Sequence, residues 1–579
     1  MITVKNLSYS YPQKDLFHDI SFTLEDGQHC ALIGASGNGK STLVDILMDR
    51  ERYLFDGAIE ITPNCRMGYV SQFSKLDTAN EITVFEYIAE EFIKLQNDIE
   101  SICAEMTSSS ELDTLLEKYQ IAFDAFQAIG GDDYERLIKM KLNQADLLKH
   151  EDLLISKLSG GEYKLIQVIK VMLTAPDLLI MDEPDVFLDF ENLNSLRNLI
   201  NSHKGALLVI THNRYLLNHC FHKILHLENK ELQEFDGRYI DYNFSLLQSK
   251  IELQELAAID TEEIERNEVI INKLRNVASY HTEASRGKSL KARISLQERL
   301  EARRIKAPFV EMKEPVINLI TDQELGETIV LKVSDYSLAF ENILLEKTNF
   351  EIESGDKVAL IGPNGSGKTT LIREIFTNDH KAIEINEAVR MAYLSQLQGE
   401  VLNEENTIYE EFFGLGLKTY QAINSYLFDY GFEEEIMTQT IGSLSGGEKN
   451  LLQLAKIALS KANLLLLDEP TSHLDTYSQL ALEKALQNYN GAVLMISHDF
   501  YTIVNCMDYI LMIEDQTIRK ISMRKFRKMI YASHFDKDYL ELEQKKKDVE
   551  TKITLALKDN NFLLAKDFSD ELEAIIKLM

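Results

Sequence analysis

The stretch Gly34-Ala35-Ser36-Gly37-Asn38-Gly39-Lys40-Ser41-Thr42 returns 328 positions later as Gly362-Pro363-Asn364-Gly365-Ser366-Gly367-Lys368-Thr369-Thr370. Each copy follows an apolar run of strand length, Ala31-Leu32-Ile33 and Ala359-Leu360-Ile361. A strand, a glycine-rich turn and a lysine followed by a hydroxyl residue open an α/β unit whose turn presents backbone N–H groups at a helix N-terminus. Four further stretches recur in the same order. Met67-Gly68-Tyr69-Val70-Ser71-Gln72 returns as Met391-Ala392-Tyr393-Leu394-Ser395-Gln396, and Leu158-Ser159-Gly160-Gly161-Glu162 as Leu444 to Glu448. The run Leu178 to Pro184 returns as Leu464 to Pro470, and Thr211-His212 as Ser497-His498. A domain-sized unit is therefore present twice.

The spacing locates the difference between the copies. Gln72 and Gln396 are 324 apart, whereas Ser159 and Ser445, Asp182 and Asp468, and His212 and His498 are each 286 apart. The first copy thus holds 38 extra residues between its glutamine and its Leu-Ser-Gly-Gly-Glu run. Val84, Ile88, Phe92, Leu95, Ile99 and Ile102 recur there at helical spacing. After Ser108-Ser109-Ser110 the pattern resumes through Leu112, Leu115, Leu116, Tyr119, Phe123 and Phe126, which predicts a helical hairpin. The expected organisation is a first α/β domain over 1–241 with a helical insertion at about 81–150. A helical linker over 242–326, turning near Ser285-Arg286-Gly287, leads to a second α/β domain over 327–535 and a charged helical extension over 536–579.

Composition narrows the function. Apolar residues make up 45% and charged residues 27% of the 579, values of globular protein. The apolar runs have strand length, far short of a bilayer span, and the N-terminus carries no signal-peptide pattern. Cys30, Cys65, Cys103, Cys220 and Cys506 are scattered, without disulfide or zinc spacing, as in a reducing compartment. A cytoplasmic protein is expected. The net charge of −32 opposes nucleic-acid binding by the surface as a whole, so any such contact must be local. Two basic patches stand out. Arg286 to Lys306 holds eight lysines and arginines against two glutamates, and Arg519, Lys520, Arg524, Lys525, Arg527 and Lys528 form a second cluster. Local positive potential of this kind suits phosphate contacts.

Each motif fits one part of nucleotide chemistry. The glycine-rich turns cradle phosphates; Lys40 and Lys368 reach the β- and γ-phosphates, and the hydroxyls of Ser41 and Thr369 suit Mg²⁺. Two buried strands end in paired carboxylates. Asp182 and Asp468 suit the metal, while Glu183 and Glu469 suit the general base for an attacking water. Gln72 and Gln396 fit positioning of metal and water, and His212 and His498 a hydrogen bond to the γ-phosphate. The run Leu-Ser-Gly-Gly-Glu opens a helix whose small residues leave N–H groups and a hydroxyl free for phosphate.

Those last residues resemble the signature of ATP-binding-cassette ATPases. The resemblance implies two domains sandwiching two nucleotides head to tail. One site would join Lys40, Ser41, Gln72, Asp182, Glu183 and His212 to Ser445, Gly446 and Gly447. The other would join Lys368, Thr369, Gln396, Asp468, Glu469 and His498 to Ser159, Gly160 and Gly161. Tyr11 and Phe340 stand where that family stacks an aromatic ring on adenine. One departure is visible: Asp468 to Asp475 reads Asp-Glu-Pro-Thr-Ser-His-Leu-Asp, but Asp182 to Asp189 reads Asp-Glu-Pro-Asp-Val-Phe-Leu-Asp. Asp185 is expected to raise the pKa of Glu183 by like-charge repulsion and slow the first site.

Over nearly its whole length the chain resembles the ABC-F translation factors, which pair two cassettes through a helical linker without a membrane part. That resemblance implies a monomeric ATPase acting on the ribosome, as a housekeeping factor or in antibiotic protection. Arg286, Lys288, Lys291 and Arg293 would then meet rRNA and the peptidyl-tRNA. The competing reading is a fused ATPase subunit that energises a membrane transporter.

Overall fold

The computed structural model describes residues 2–11, 14–72, 81–107, 112–186, 188–278, 295, 315–322, 325–326, 328–340, 342–396, 398–534 and 539–579. Two compact units emerge: Met1–Asp236 with Glu314–Met529, which holds both cassettes, and Gly237–Lys313 with Ile530–Met579.

In chain order the first cassette runs β1 (Ile2–Tyr11), β2 (Lys14–Leu24), β3 (His29–Ile33), α1 (Lys40–Met48), β4 (Asp56–Ile61) and β5 (Met67–Val70). It continues through α2 (Val84–Met106), α3 (Leu112–Ala128), α4 (Tyr134–Gln144), α5 (Gly160–Leu173), β6 (Leu178–Asp182) and α6 (Phe190–Ser202). It ends with β7 (Ala206–Ile210), α7 (Arg214–Cys220), β8 (Lys223–Glu228) and β9 (Glu231–Asp236). Strands β1, β2 and β4 form an antiparallel sheet, ordered β2-β1-β4. The other six are ordered β5-β6-β7-β3-β8-β9 and are parallel except for β9. The central strands read as unbroken apolar runs because both faces are covered: β6 and β7 are buried at every position. Leu32, Ile180, Leu208 and Ile210 meet Phe17, Phe22, Leu43 and Ile46 in one core.

The second cassette repeats this plan with β10 (Ile329–Ala339), β11 (Ile343–Glu353), β12 (Lys357–Ile361), α9 (Lys368–Thr377), β13 (Ile383–Ile385) and β14 (Met391–Leu394). Then follow α10 (Ile408–Phe413), α11 (Tyr420–Phe428), α12 (Gly446–Ser460), β15 (Leu464–Asp468), α13 (Thr476–Asn488) and β16 (Ala492–Ile496). The last elements are α14 (Phe500–Cys506), β17 (Tyr509–Glu514), β18 (Thr517–Ser522) and α15 (Met523–His534). Its main sheet, β14-β15-β16-β12-β17-β18, matches the first strand for strand.

Isolated bridges fix where the copies part. Thr83 pairs with Leu154, and Thr407 with Thr440. The first members lie 324 apart and the second 286 apart, so all 38 extra residues fall inside the Thr83–Leu154 bracket. There the long helices α2 and α3 pack together where the second cassette has only α10 and α11. Thr83 and Thr407 start α2 and α10 with the same capping box, closed by Glu86 and Glu410.

The second unit contains α8 (Tyr239–Ala278), α16 (Tyr539–Lys558) and α17 (Phe562–Ile576). At about 1.5 Å per residue, the 40-residue α8 is about 60 Å long. Ile240 and Ile251 of α8 share a small core with Ile553 of α16 and Leu572 and Ile576 of α17. The C-terminal stretch is thus two helices, with Asn561 capping the second. The linker turn near Ser285, and Arg286, Lys288, Lys291 and Arg293, lie outside the described residues. Among the described residues no helix is long and apolar enough to cross a membrane.

Two candidate nucleotide sites between the cassettes

Parallel pairing sets the chemistry-bearing residues in a row. Gln72 follows β5, Asp182 ends β6 with Glu183 next, His212 follows β7, and the Gly34–Thr42 turn follows β3. These strands are neighbours in the sheet, so the motifs line its carboxyl edge, where open α/β sheets bind ligands. The second cassette places Gln396, Asp468, Glu469, His498 and the Gly362–Thr370 turn identically.

Both turns need glycine where they enter the helix. Gly39 has φ 89° and Gly367 φ 91°, in the left-handed region. A Cβ at Gly367 would also lie 2.7 Å from the Leu338 side chain. Lys40 Nζ donates to the carbonyls of Gly34 (2.8 Å) and Ala35 (2.9 Å), and Lys368 Nζ to those of Gly362 (2.8 Å) and Pro363 (2.9 Å). The first turn is braced from outside: Ala35 N–H donates to Glu228 (3.1 Å) and Asn38 to the Leu227 carbonyl (3.3 Å). Burial pushes both lysine pKa values down, while Glu183 and Glu469 respectively oppose the shift.

Each turn is completed by the other cassette. The Ser36 N–H donates to Asp475 Oδ2 (3.1 Å), and the Asn364 N–H to Asp189 Oδ2 (3.3 Å). The second oxygen of each aspartate caps its own helix. Asp475 Oδ1 accepts from Ser478 N at α13 (2.8 Å), and Asp189 Oδ1 from Asn192 N at α6 (3.0 Å). The signature residues follow the same exchange. Ser159 and Ser445 cap α5 and α12 in matched boxes with Glu162 and Glu448. A Cβ on Gly447 would sit 2.6 Å from the His473 carbonyl oxygen and 2.4 Å from Ser36 Oγ of the first turn, so that position requires glycine. Conversely, Ser159, Gly160 and Gly161 line a cavity of about 660 Å³ together with Gly365, Lys368, Thr369, Thr370, Gln396, Asp468, Glu469 and His498. That volume is within the range of small-molecule sites. Phe340 lines the same cavity and is 69% exposed; Tyr11, at the end of β1, is 46% exposed.

The two glutamates share a strained backbone but differ in surroundings. Glu183 and Glu469 have φ 44° and 50°, a conformation that costs a non-glycine residue roughly 1–2 kcal/mol. Their N–H groups donate to Ile210 and Ile496 (both 2.9 Å), which ties each to the next strand. Glu183 Oε2 accepts from the Gln72 amide and, across the interface, from His473 Nδ1 at 3.2 Å. Burial alone would raise the Glu183 pKa, but the His473 hydrogen bond, His212 and Lys40 outweigh it and hold the carboxyl below its usual range. Asp185 therefore does not act as its sequence position led us to expect. Its carboxyl accepts from Thr211 Oγ1 (2.7 Å), and burial, followed by Glu183, pushes its own pKa to about 6. Among the described residues Glu469 accepts from the His498 N–H (3.3 Å) and lies beside that ring; burial and Asp468 push it to about 8. His212 and His498 are driven down by burial, to about 4 and about 3.

The carboxylates beside these glutamates fit a divalent cation. Asp182 Oδ1 and both oxygens of Asp468 are buried without a hydrogen-bond partner. Burial raises both groups to about 6, with the Ser41 and Thr369 hydroxyls beside them opposing the shift. Among the described residues no group of three His, Cys, Asp or Glu side chains could hold a metal unaided. One carboxylate and one hydroxyl per site match Mg²⁺, which takes its remaining ligands from phosphate and water.

Four contributors escaped the sequence reading. Asp189 and Asp475 had a signal, since they recur at the 286 offset immediately before a helix. Lys164 holds the carbonyls of Ser71 and Gln72 from α5, yet its counterpart in the second cassette is Asn450, so the repeat hides it. His473 likewise has no matching residue in the first copy, where Phe187 stands.

Two glycine-rich turns, each completed by the opposite half of one chain, define a tandem ATP-binding-cassette ATPase. Comparison with known proteins agrees. The family model described as ABC transporter matches residues 17–186 and again 345–472. The chain is 30% identical over 516 residues to the putative ATP-binding protein YdiF of Bacillus subtilis, covering 87% of this chain and 78% of that one. It is 27% identical to ABC transporter F family member 5 of Arabidopsis thaliana (89% and 75% covered). It is 29% identical to the energy-dependent translational throttle protein EttA of Escherichia coli K12 (87% and 90% covered). The fold is shared with the archaeal ribosome recycling factor aABCE1, solved with ribosomal stalk protein aP1, at TM-score 0.51 and 17% identity over 91% of this chain and 92% of that one. The chain belongs to the ATP-binding-cassette family, in its F branch.

Proposed function

We propose that this chain is a cytoplasmic ATPase that closes on two ATP molecules, binds the ribosome in that closed state, acts on translation and is released after hydrolysis. The observation that carries the reading is the reciprocal exchange between cassettes: Asp475 and Gly447 meet the first turn, and Asp189 meets the second, beside the cavity that Ser159, Gly160 and Gly161 line. Contacts that complete each phosphate cradle in trans couple ATP binding to the approach of the two halves. Since both halves lie in one chain, a monomer suffices.

Within each site the roles follow from position. Backbone N–H groups of the turns and Lys40 or Lys368 bind the phosphates of ATP, aided respectively by Ser445 or Ser159 from the opposite signature. Ser41, Gln72 and Asp182 would hold Mg²⁺ in one site and Thr369, Gln396 and Asp468 in the other. A cation held there would supply positive charge against that developing on the transferred phosphoryl group. Glu183 and Glu469 take a proton from the attacking water, and His212 and His498 orient the γ-phosphate as neutral rings. Tyr11 and Phe340 offer exposed rings for adenine.

The ribosome as target rests on the relatives, one of which is named for throttling translation, and on the basic run at Arg286, Lys288, Lys291 and Arg293 as the contact to rRNA and peptidyl-tRNA. The test is co-sedimentation of the Glu183→Gln/Glu469→Gln double variant with ribosomes, with and without ATP. ATP-dependent binding that weakens steeply with salt supports the reading and makes antibiotic protection the next assay. A folded, ATP-binding variant that ignores ribosomes and follows membranes overturns it for a transporter-energising subunit.

A further inference from the structure

The loop Thr471-Ser472-His473-Leu474 of the second cassette reaches into the first site. His473 has φ 62°, and its ring lies against Gly446 of the signature, where a Cβ would be 3.0 Å from the ring carbon Cγ. From this position Nδ1 is 3.2 Å from Glu183 Oε2 and 3.4 Å from the Gln72 amide nitrogen. The tautomer with its proton on Nδ1 satisfies the carboxylate, since the Gln72 amide also donates to Oε2. Two donors from two cassettes thus fix Glu183 through one oxygen and leave Oε1 to take a proton. The position matching His473 in the first copy is Phe187, whose side chain has no polar atom to offer Glu469.

We propose that His473 is a positioning residue, supplied in trans, that orients Glu183 in the first site only, so that the first site hydrolyses ATP faster than the second. The direction is opposite to the slowing expected from Asp185, whose carboxyl accepts from Thr211.

The inference rests on Glu183 and Glu469 being the general bases, and the experiment separates the two. In full-length protein, Glu469→Gln leaves the first site active and Glu183→Gln the second; phosphate release gives kcat and KM for each. We expect the first site to turn over faster. Adding His473→Ala to the Glu469→Gln background should lower kcat about tenfold or more with little change in KM, because a hydrogen bond to a charged group is lost. His473→Asn, which tolerates positive φ and keeps a donor, should recover most of the loss. Equal rates in the two single-site proteins, a loss that falls on KM alone, or an equal loss at both sites would overturn the proposal. If Glu183→Gln and Glu469→Gln together leave hydrolysis intact, the assignment of the bases fails instead.

Discussion

Arg214 and Phe500 occupy the same place in the two cassettes, 286 residues apart at the start of α7 and α14, and they do opposite things. Arg214 is buried, bonded to Glu483 and to Asp499 (2.8 Å) of the other cassette, with its guanidinium 4.8 Å from the Tyr501 ring. The two-fold mirror of that contact would set Phe500 against Arg197 and Asn213. Instead Phe500 packs on Phe526, and Arg197 turns within its own cassette to the Tyr215 hydroxyl (2.7 Å). Around the phosphate cradles, by contrast, Asp189 and Asp475 keep the same two bonds. The duplication is preserved where each site must meet the same ligand. It has diverged where a contact only has to hold the halves together, and one anchor suffices for that.

The largest effects should come from the preserved part. Glu183→Gln or Glu469→Gln is expected to lower turnover at its own site by about 10²–10⁴-fold, the usual weight of a general base. The residual steady-state rate of each variant then reports the other site. If either substitution alone abolishes all hydrolysis, the two sites fire only together, and treating them as separable halves is wrong.

Next comes the one-sided anchor. Arg214→Met strands two buried carboxylates and should cost about 3–5 kcal/mol in urea unfolding, as breaking a buried ion pair does. Phe500→Leu, at the mirrored position, should cost less than about 1.5 kcal/mol. Similar losses for both would mean that the interface is energetically symmetric despite its sequence.

How much of this was legible beforehand follows from the same division. The strands, turns and paired carboxylates could be read because the repeat showed each of them twice and each has a local reason for its residues. The helical hairpin at 84–128 was legible from its period and from the 38-residue offset. Contacts across the interface could be expected only through the family resemblance, and the Asp475 bond not at all, since Ser36 and Asp475 are 439 positions apart and nothing local marks them as neighbours. Asp185 misled for a related reason. Adjacency in sequence put it beside Glu183, and the two carboxyls do repel, but burial puts the upward shift on Asp185 itself, which accepts from Thr211, 26 positions along the chain. Arg214 was concealed because a repeat hides whatever is present only once, and His473, visible as a departure between the copies, had no local sign of its partner Glu183.

Of intermediate size are the bonds that repeat. Asp475→Ala and Asp189→Ala each remove a helix cap, about 1 kcal/mol, together with a bond to the opposite glycine-rich turn. Each should raise the KM for ATP at the site whose turn it touches, measured in the single-site backgrounds. An effect on the aspartate's own cassette instead would break the reciprocal scheme.

The smallest effect separates the cassettes by acid. His203, after α6, is driven to about 4 by burial and by His29, and its Nε2 has no hydrogen-bond partner. The matching residue in the second cassette is Tyr489, whose hydroxyl donates to the Ala462 carbonyl at 2.7 Å. Unfolded histidine titrates near 6.5. Between about 6.5 and about 4 the unfolded chain therefore binds a proton that the folded first cassette refuses, and stability falls as pH drops through that window. Asp182 and Asp468, both raised to about 6, work in the opposite sense in both cassettes and cancel in the comparison; Asp185, raised to about 6 in the first alone, offsets part of the His203 loss, and Glu469, raised to about 8, favours the second as pH drops. Hydrogen exchange at pH 7 and pH 5 should show protection of the β3–β7 ladder falling more than that of β12–β16. In His203→Gln the difference should shrink, and an unchanged difference would place the acid sensitivity elsewhere in the first cassette.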